Sequence, residues 1–362
     1  MTGPARLQPI PAGILCAGDY EAHARAALDA NAWSYFGSHA GDGVTARANA
    51  QAWQAIDLLP RVLRPAAAMD TRSTLLGRTL PWPVLVAPMA LLRMAHPDGE
   101  CATALAATAQ GAGLVLSSQA SQPLEAVAAA VRADPGRGPL WMQLYLQPDR
   151  GATLELVRRA EAAGFEALVL TVDAAVRAAR PAEQRAGFRI PAGIAAVNLR
   201  PAGPTPTTLQ AMAAQAPGWD DVAWLRAQTR LPVLLKGVLH PDDVRQAAAL
   251  RIDGLIVSNH AGRTLDTAVA TARALPRLAE AAAGALPLLV DGGIRRGADI
   301  FKALALGADA VLVGQPVLWG LATAGAAGAA HVLRLLRDEF EVTMAQCGAA
   351  SLSDIEAALL AP

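Results

Sequence analysis

The hexapeptide Ser258-Asn259-His260-Ala261-Gly262-Arg263 ends an apolar run with a histidine three residues before an arginine. A neutral imidazole can take a proton near neutral pH. A guanidinium can hold a carboxylate through two parallel hydrogen bonds. Together they suit a substrate whose reacting carbon sits beside a carboxylate. The same spacing also fits a capping histidine and a surface arginine, so the pair alone leaves both readings open. Thr171-Val172-Asp173, followed by Arg180, supplies a complement. Asp173 at a strand end could hydrogen-bond His260 and stabilise its imidazolium form. Arg180 could be a second carboxylate clamp. A helix N-cap and a surface ion pair are the plainer alternatives for these two.

Two glycine-rich turns stand apart: Asp291-Gly292-Gly293-Ile294-Arg295 and Val313-Gly314-Gln315. Glycine lets a backbone approach closely, and exposed N–H groups at a helix start hold a phosphate. Ligand-free tight turns are the alternative. Lys236, in Leu234-Leu235-Lys236-Gly237, could form a Schiff base or act as a counter-charge. Gln143 and Tyr145 share one face of a strand, where an amide can read a ring edge and a phenol can polarise a substrate. Met94 and His96 read as loop structure without chemistry.

These residues need strand ends to hold them. Eight short apolar runs qualify: Val84–Ala90, Gly113–Ser118, Leu140–Leu146, Ala167–Asp173, Pro232–Gly237, Gly254–Asn259, Pro287–Gly293 and Ala310–Pro316. Alanine-rich helical stretches separate them, among them Ala102–Gln110, Leu154–Ala163, Asp242–Leu250 and Ala298–Leu306. Eight such alternations predict an α/β chain, a (β/α)₈ TIM barrel, with reactive residues at the carboxyl ends of its strands. A helix near Asp19–Asn31 and a linking stretch make an N-terminal helical extension, about residues 1–80. The barrel takes about 81–362, the whole being one domain of 362 residues. The Pro/Gly-rich segment Pro191–Gly218 reads as a lid, and Val332–Leu360 as packing helices.

The net charge is zero and no basic block occurs, which argues against nucleic acid and against a polybasic membrane anchor. No signal-peptide pattern is read at the N-terminus, and no apolar run is read as bilayer-spanning, because the alanine-rich stretches are broken by Arg, Glu, Gly or Pro. Cys16, Cys101 and Cys347 are few, scattered and odd in number, so neither a disulfide framework nor a metal centre is expected. A cytoplasmic protein with reduced thiols is the expectation.

At this point the chain resembles the FMN-dependent L-2-hydroxy acid oxidases and dehydrogenases, from Asp19-Tyr20-Glu21 to about Ile355. Ala87-Pro88, Met94–Glu100, Gln143-Leu144-Tyr145, Thr171-Val172-Asp173, Lys236-Gly237, Ser258-Asn259-His260 and Asp291–Phe301 carry the likeness. The resemblance implies FMN as cofactor, a small-molecule 2-hydroxy acid as substrate, and a homo-oligomer, by analogy a tetramer. It implies His260 as base with Asp173 as partner. Arg180 and Arg263 would hold the substrate carboxylate, and Tyr35 and Tyr145 would contact the substrate. Pro88, Met89 and Ala90 would line the flavin. Ser117, Gln143, Thr171, Lys236 and Ser258 would bind its ring and ribityl chain. Asp291, Gly292, Gly293, Ile294, Arg295, Gly314 and Gln315 would bind the ribityl chain and phosphate.

Four departures are noted. Gln315 stands where the family has an arginine, with Arg295 able to compensate. Ala261 replaces a glycine, at a cost if the position needs positive φ. Gln119 and Arg177 replace a tryptophan and a leucine of glycolate oxidases, which predicts a more polar pocket unless Arg177 faces solvent. A non-redox, isomerase-like FMN barrel and a degenerate flavin-binding protein are the competing functions. Retention of His260, Asp173, Arg180 and Arg263 together argues against both.

Overall fold

The computed structural model describes residues 8–65, 68–176, 178–200, 208–214 and 216–361. A small antiparallel hairpin, β1 (Ser73–Leu75) and β2 (Arg78–Leu80), precedes eight parallel strands. These are β3 (Val84–Val86), β4 (Gly113–Ser117), β5 (Leu140–Leu144), β6 (Ala167–Thr171), β7 (Val233–Val238), β8 (Gly254–Val257), β9 (Leu288–Val290) and β10 (Ala310–Val313). They close as a barrel, β10 pairing with β3. The expected (β/α)₈ architecture is therefore present.

Strand alternation builds two cores. Leu85, Val115, Trp141, Ala167, Val169, Leu234, Ile256, Leu289, Ala310 and Leu312 point inward and fill the barrel. Their neighbours, such as Val84, Val86, Met142, Leu168, Leu170, Leu235 and Val257, point outward and pack under the helices. Leu75 and Leu80 of the hairpin join the inner core. The same alternation aims the site. Two residues beyond Val115 is Ser117, beyond Trp141 is Gln143, beyond Val169 is Thr171. Beyond Leu234, Leu289 and Leu312 come Lys236, Asp291 and Gly314. All six line one cavity at the carboxyl ends of the strands.

Some expected boundaries are corrected. Seven of the eight runs stop short of their expected ends, β3 at Val86 rather than Ala90, because their last residues leave the ladder to form site loops. β7 instead runs on to Val238, its register shifting between Lys236 and Val238. The single helix expected near Asp19–Asn31 is two, Tyr20–Ala27 and Ala30–Phe36. The Asp29 carboxylate accepts from the Ala32 N–H at 2.7 Å and starts the second. The tail is not helical to Leu360. The last long helix, Gln315–Cys347, stops at Gly348 in a left-handed cap (φ 71°), and only single 3₁₀ turns follow. That helix breaks at Ala324–Gly325, and His96 packs into the break, in keeping with a structural role for that ring. It is also long and apolar enough to cross a membrane, contrary to the sequence reading, but 72% of its most apolar window is buried inside the protein. It is a core helix. Within the expected lid, 201–207 and 215 lie outside the described residues, and Leu209–Ala214 is helical.

Candidate active site

The strand-end residues surround a cavity of about 820 Å³. At its inner end His260 Nδ1 lies 2.9 Å from Asp173 Oδ1. A carboxylate accepts only, so Nδ1 is the donor, which leaves Nε2 of the neutral ring to carry the lone pair that a base needs. Burial pushes the Asp173 carboxyl up. Its hydrogen bond and charge attraction to His260, with Lys236 nearby, outweigh that and hold it below the ordinary carboxylate value. Its second oxygen, Oδ2, is buried without a partner. Asp173 does not itself line the cavity; it stands behind His260.

The loop that presents His260 is strained. His260 and Ala261 both take left-handed φ, 54° and 53°. The position of Ala261 thus does need positive φ, and its methyl costs about 1 kcal/mol there. Gly262 (φ 75°) completes the turn against Ala46, whose N would lie 2.7 Å from any added Cβ. Asn49 and Asn259, both buried, exchange side-chain amide hydrogen bonds at 2.8 Å and lock this loop to the Val44–Gln54 helix.

Gly237 has a role that the sequence reading left unassigned. Its φ is 111°, and a Cβ there would sit 2.4 Å from Asp173 Cβ. Gly237→Ala should therefore displace Asp173 and lower kcat about 100-fold, with a fall in melting temperature. Steady-state rates and a thermal melt on the flavin-loaded protein check this.

Lys236 Nζ bonds Ser258 Oγ at 2.7 Å and pairs with Asp291 Oδ2 at 2.8 Å, all three buried. That pairing favours the counter-charge reading over Schiff-base chemistry. Ser258 sits behind Lys236 and keeps its own hydroxyl proton to donate. Its hydroxyl accepts from Lys236 and from the His260 N–H (3.1 Å), so it braces both. The Gln143 amide is oriented by its neighbours: Oε1 accepts from Ser118 N and Ser117 Oγ at 3.2 Å, and Nε2 donates to Thr171 Oγ1 at 3.0 Å. Asp291 Oδ1 is buried without a partner.

The arginines are positioned differently from each other. Arg263 Nη1 donates to the carbonyls of Tyr35, Phe36 and Ser38 at 2.9, 3.3 and 2.8 Å, capping the Ala30–Phe36 helix, and its guanidinium lies 5.3 Å over the Tyr35 ring. Burial and then the charge of Arg180 push its pKa down, a state that an incoming carboxylate relieves. Arg180 pairs with buried Glu183 at 3.2 Å, and Glu183 also accepts from Ser38 Oγ. The Arg180 pair is mostly buried, not a surface ion pair. Glu183 was missed from sequence; an acid three residues after Arg180 was its only signal. Tyr145 is raised well above its ordinary value by burial, and then by the charge of Asp173, so its phenol stays protonated. His39, also missed, lines the cavity with Nδ1 buried and unpartnered.

At the far end, Gly292 and Gly293 take φ of 91° and 84°. A Cβ on Gly293 would strike the Asn49 carbonyl carbon at 2.6 Å. Arg295 stacks 4.7 Å over Trp319 and donates to Gln315 Oε1. Burial pushes its guanidinium down, and no carboxylate among the described residues pairs with it. The nearest acidic influences, Glu21 and Asp299, act at longer range. Pro88, Met89 and Ala90 supply the wall beside β3, and Ile294 and Gly314 complete this far end. Gln119 lines the cavity, whereas Arg177 lies outside the described residues.

This arrangement fits FMN. A half-buried guanidinium with no carboxylate partner among the described residues, and left-handed glycines, suit a phosphate. The orphaned Asp291 Oδ1 suits a polyol hydroxyl. The fixed Gln143 amide and the Lys236 cation suit the polar edge of a flavin ring.

Comparison with known proteins agrees. The FMN-dependent dehydrogenase family matches residues 24–362. An L-lactate oxidase of Alicycliphilus denitrificans is 49% identical over 98% of both chains. Glycolate oxidase 1 of Zea mays is 44% identical over 93% of both. A crystal structure of mandelate oxidase with (S)-2-phenylpropionate aligns with TM-score 0.87 and 38% identity, covering 96% of this chain and 98% of that one.

Proposed function

From the premise that the chain belongs to the FMN-dependent dehydrogenase family, we propose that it oxidises an L-2-hydroxy acid to the 2-oxo acid with His260 as base. The observation that carries this is one cavity holding an Asp173-oriented imidazole, two arginines and a phosphate-type end. FMN, when bound, supplies the acceptor for the two electrons that leave the substrate α-carbon. Lys236, Gln143, Ser117 and Thr171 would hold its ring, Asp291 the ribityl chain, and Gly292–Arg295 with Gly314 and Gln315 the phosphate.

Arg180 and Arg263 clamp the substrate carboxylate, which fixes the α-carbon relative to His260. Tyr35 and Tyr145 contact the same substrate, Tyr145 as a hydrogen-bond donor. His260 Nε2 takes the proton released as the alcohol becomes a carbonyl. Asp173, held ionised, stabilises the imidazolium so formed. Buried Lys236, neutralised by Asp291 in the resting site, places a positive charge where negative charge accumulates. We further place the enzyme in the cytoplasm as a homo-oligomer, a tetramer by family analogy, which light scattering on a sizing column checks.

The test is product analysis. FMN-loaded protein given L-lactate without air should release one pyruvate, trapped as its hydrazone, for each FMN reduced. The Arg180→Lys variant should raise KM about tenfold or more, because lysine lacks the planar fork. Absence of any 2-oxo acid from a panel of L-2-hydroxy acids would refute the proposal.

A further inference from the structure

The segment from Phe188 to Leu199 crosses the cavity as a strap tied down along its length. Phe188 stacks on Tyr35, ring centroids 4.8 Å apart and planes at 25°. Asn31 brackets Arg189 with two hydrogen bonds, accepting from its N–H at 3.0 Å and donating to its carbonyl at 2.8 Å. Arg93 reaches the Gly193 carbonyl at 3.3 Å, and Val197 N–H donates to the Ala120 carbonyl at 3.2 Å. Buried Asn198 accepts from Leu124 N–H at 2.9 Å and donates to the Gln122 carbonyl at 3.0 Å. The strap therefore joins the N-terminal helix to the loop after β4 and holds a fixed set of side chains against the cavity.

Those side chains are apolar. Phe188, Ile190 and Leu199 of the strap line the cavity together with Val176 and Ala178. Ile190 is 49% exposed and Val176 36% exposed. Large apolar side chains left wet on a cavity wall, on a backbone anchored this firmly, lower the free energy when an apolar group covers them. Of the amides that line the cavity, Gln143 and Gln315 belong to the flavin side and Asn49 to its pair with Asn259, which leaves Gln119 and Gln147; Arg180, Glu183 and Arg263 of the lining belong to the carboxylate end.

We propose that Val176, Ala178, Phe188, Ile190 and Leu199 form a subsite for an extended apolar substituent on the 2-hydroxy acid, so that acids with longer alkyl chains or an aryl ring are better substrates than lactate. The subsite rests on 2-hydroxy acid oxidation in the same cavity. The arginines hold C1 and His260 faces C2, so growth of the substituent is the one variable that the strap reads.

The experiment is a series of L-2-hydroxy acids from lactate through hydroxybutyrate and hydroxyhexanoate to hydroxyoctanoate, with L-malate as the polar control. It is run on the FMN-loaded enzyme and on an Ile190→Ser/Leu199→Ser double variant. In the wild type, kcat/KM should climb by up to about fourfold per methylene until the wall is covered. In the variant the climb should flatten to less than about twofold per methylene. A thermal melt of the variant confirms its fold, and Ile190→Ser alone, at a half-exposed position, is the fallback if the pair destabilises. A wild-type series that is flat or falls from lactate, a best rate with malate, or a climb unchanged in the variant would overturn the subsite while leaving hydroxy acid oxidation intact. Oxidation of no acid at all would overturn the activity beneath it and the subsite with it.

Discussion

His260→Asn is expected to lower kcat by about 10³-fold or more while the protein still binds FMN and its substrate. Asparagine tolerates the left-handed backbone that His260 adopts (φ 54°), so the loop survives the change. What is lost is the lone pair on Nε2. The check is the anaerobic rate at which the flavin is reduced by substrate, compared with the substrate's binding constant. Asp173→Asn should act in the same direction by a smaller factor, since the amide no longer fixes the Nδ1–H tautomer or stabilises the imidazolium. If both variants kept wild-type rates, the base would have to lie elsewhere among the cavity residues.

Arg295→Met should weaken FMN about 100-fold and leave riboflavin almost untouched. Charge-assisted bonds to a phosphate contribute about 1.5–3 kcal/mol each, so losing one or two gives that factor. The thioether side chain keeps the volume beside Trp319, which separates loss of charge from loss of packing. Quenching of flavin fluorescence on titration with apoprotein measures both ligands. The contrast matters here because Gln315 supplies no charge, and its amide accepts from Arg295 instead. Arg295 is then the lone cation among the residues proposed to hold the phosphate. Equal losses for FMN and riboflavin would mean that Arg295 supports the fold and not the phosphate.

The barrel was legible because its strands alternate. Val115, Trp141, Val169 and Leu234 fill the interior, and the polar residue two places on from each must face the mouth. Strand ends were less legible, since nothing in Val84–Ala90 marks where the ladder stops and the cavity wall starts. Contacts between distant segments were not legible at all. Asn49 meets Asn259, Ser38 meets Glu183 and Phe188 meets Tyr35 only after the N-terminal helices fold over the barrel mouth. Gly237 shows the intermediate case. Its place beside Lys236 was noticed, but its reason, the 2.4 Å approach of Asp173, is a property of three dimensions. Ser258 shows another: the resemblance implies a ligand contact, while the bonds its Oγ accepts from Lys236 and the His260 N–H, which brace both, are visible only in three dimensions.

The most direct test of the account is a visible spectrum of the purified protein, reconstituted with FMN if necessary, recorded before and after anaerobic addition of L-2-hydroxy acids. The flavin spectrum should bleach in the wild type and, over the same interval, stay oxidised in His260→Asn. Bound flavin that no 2-hydroxy acid bleaches would contradict it.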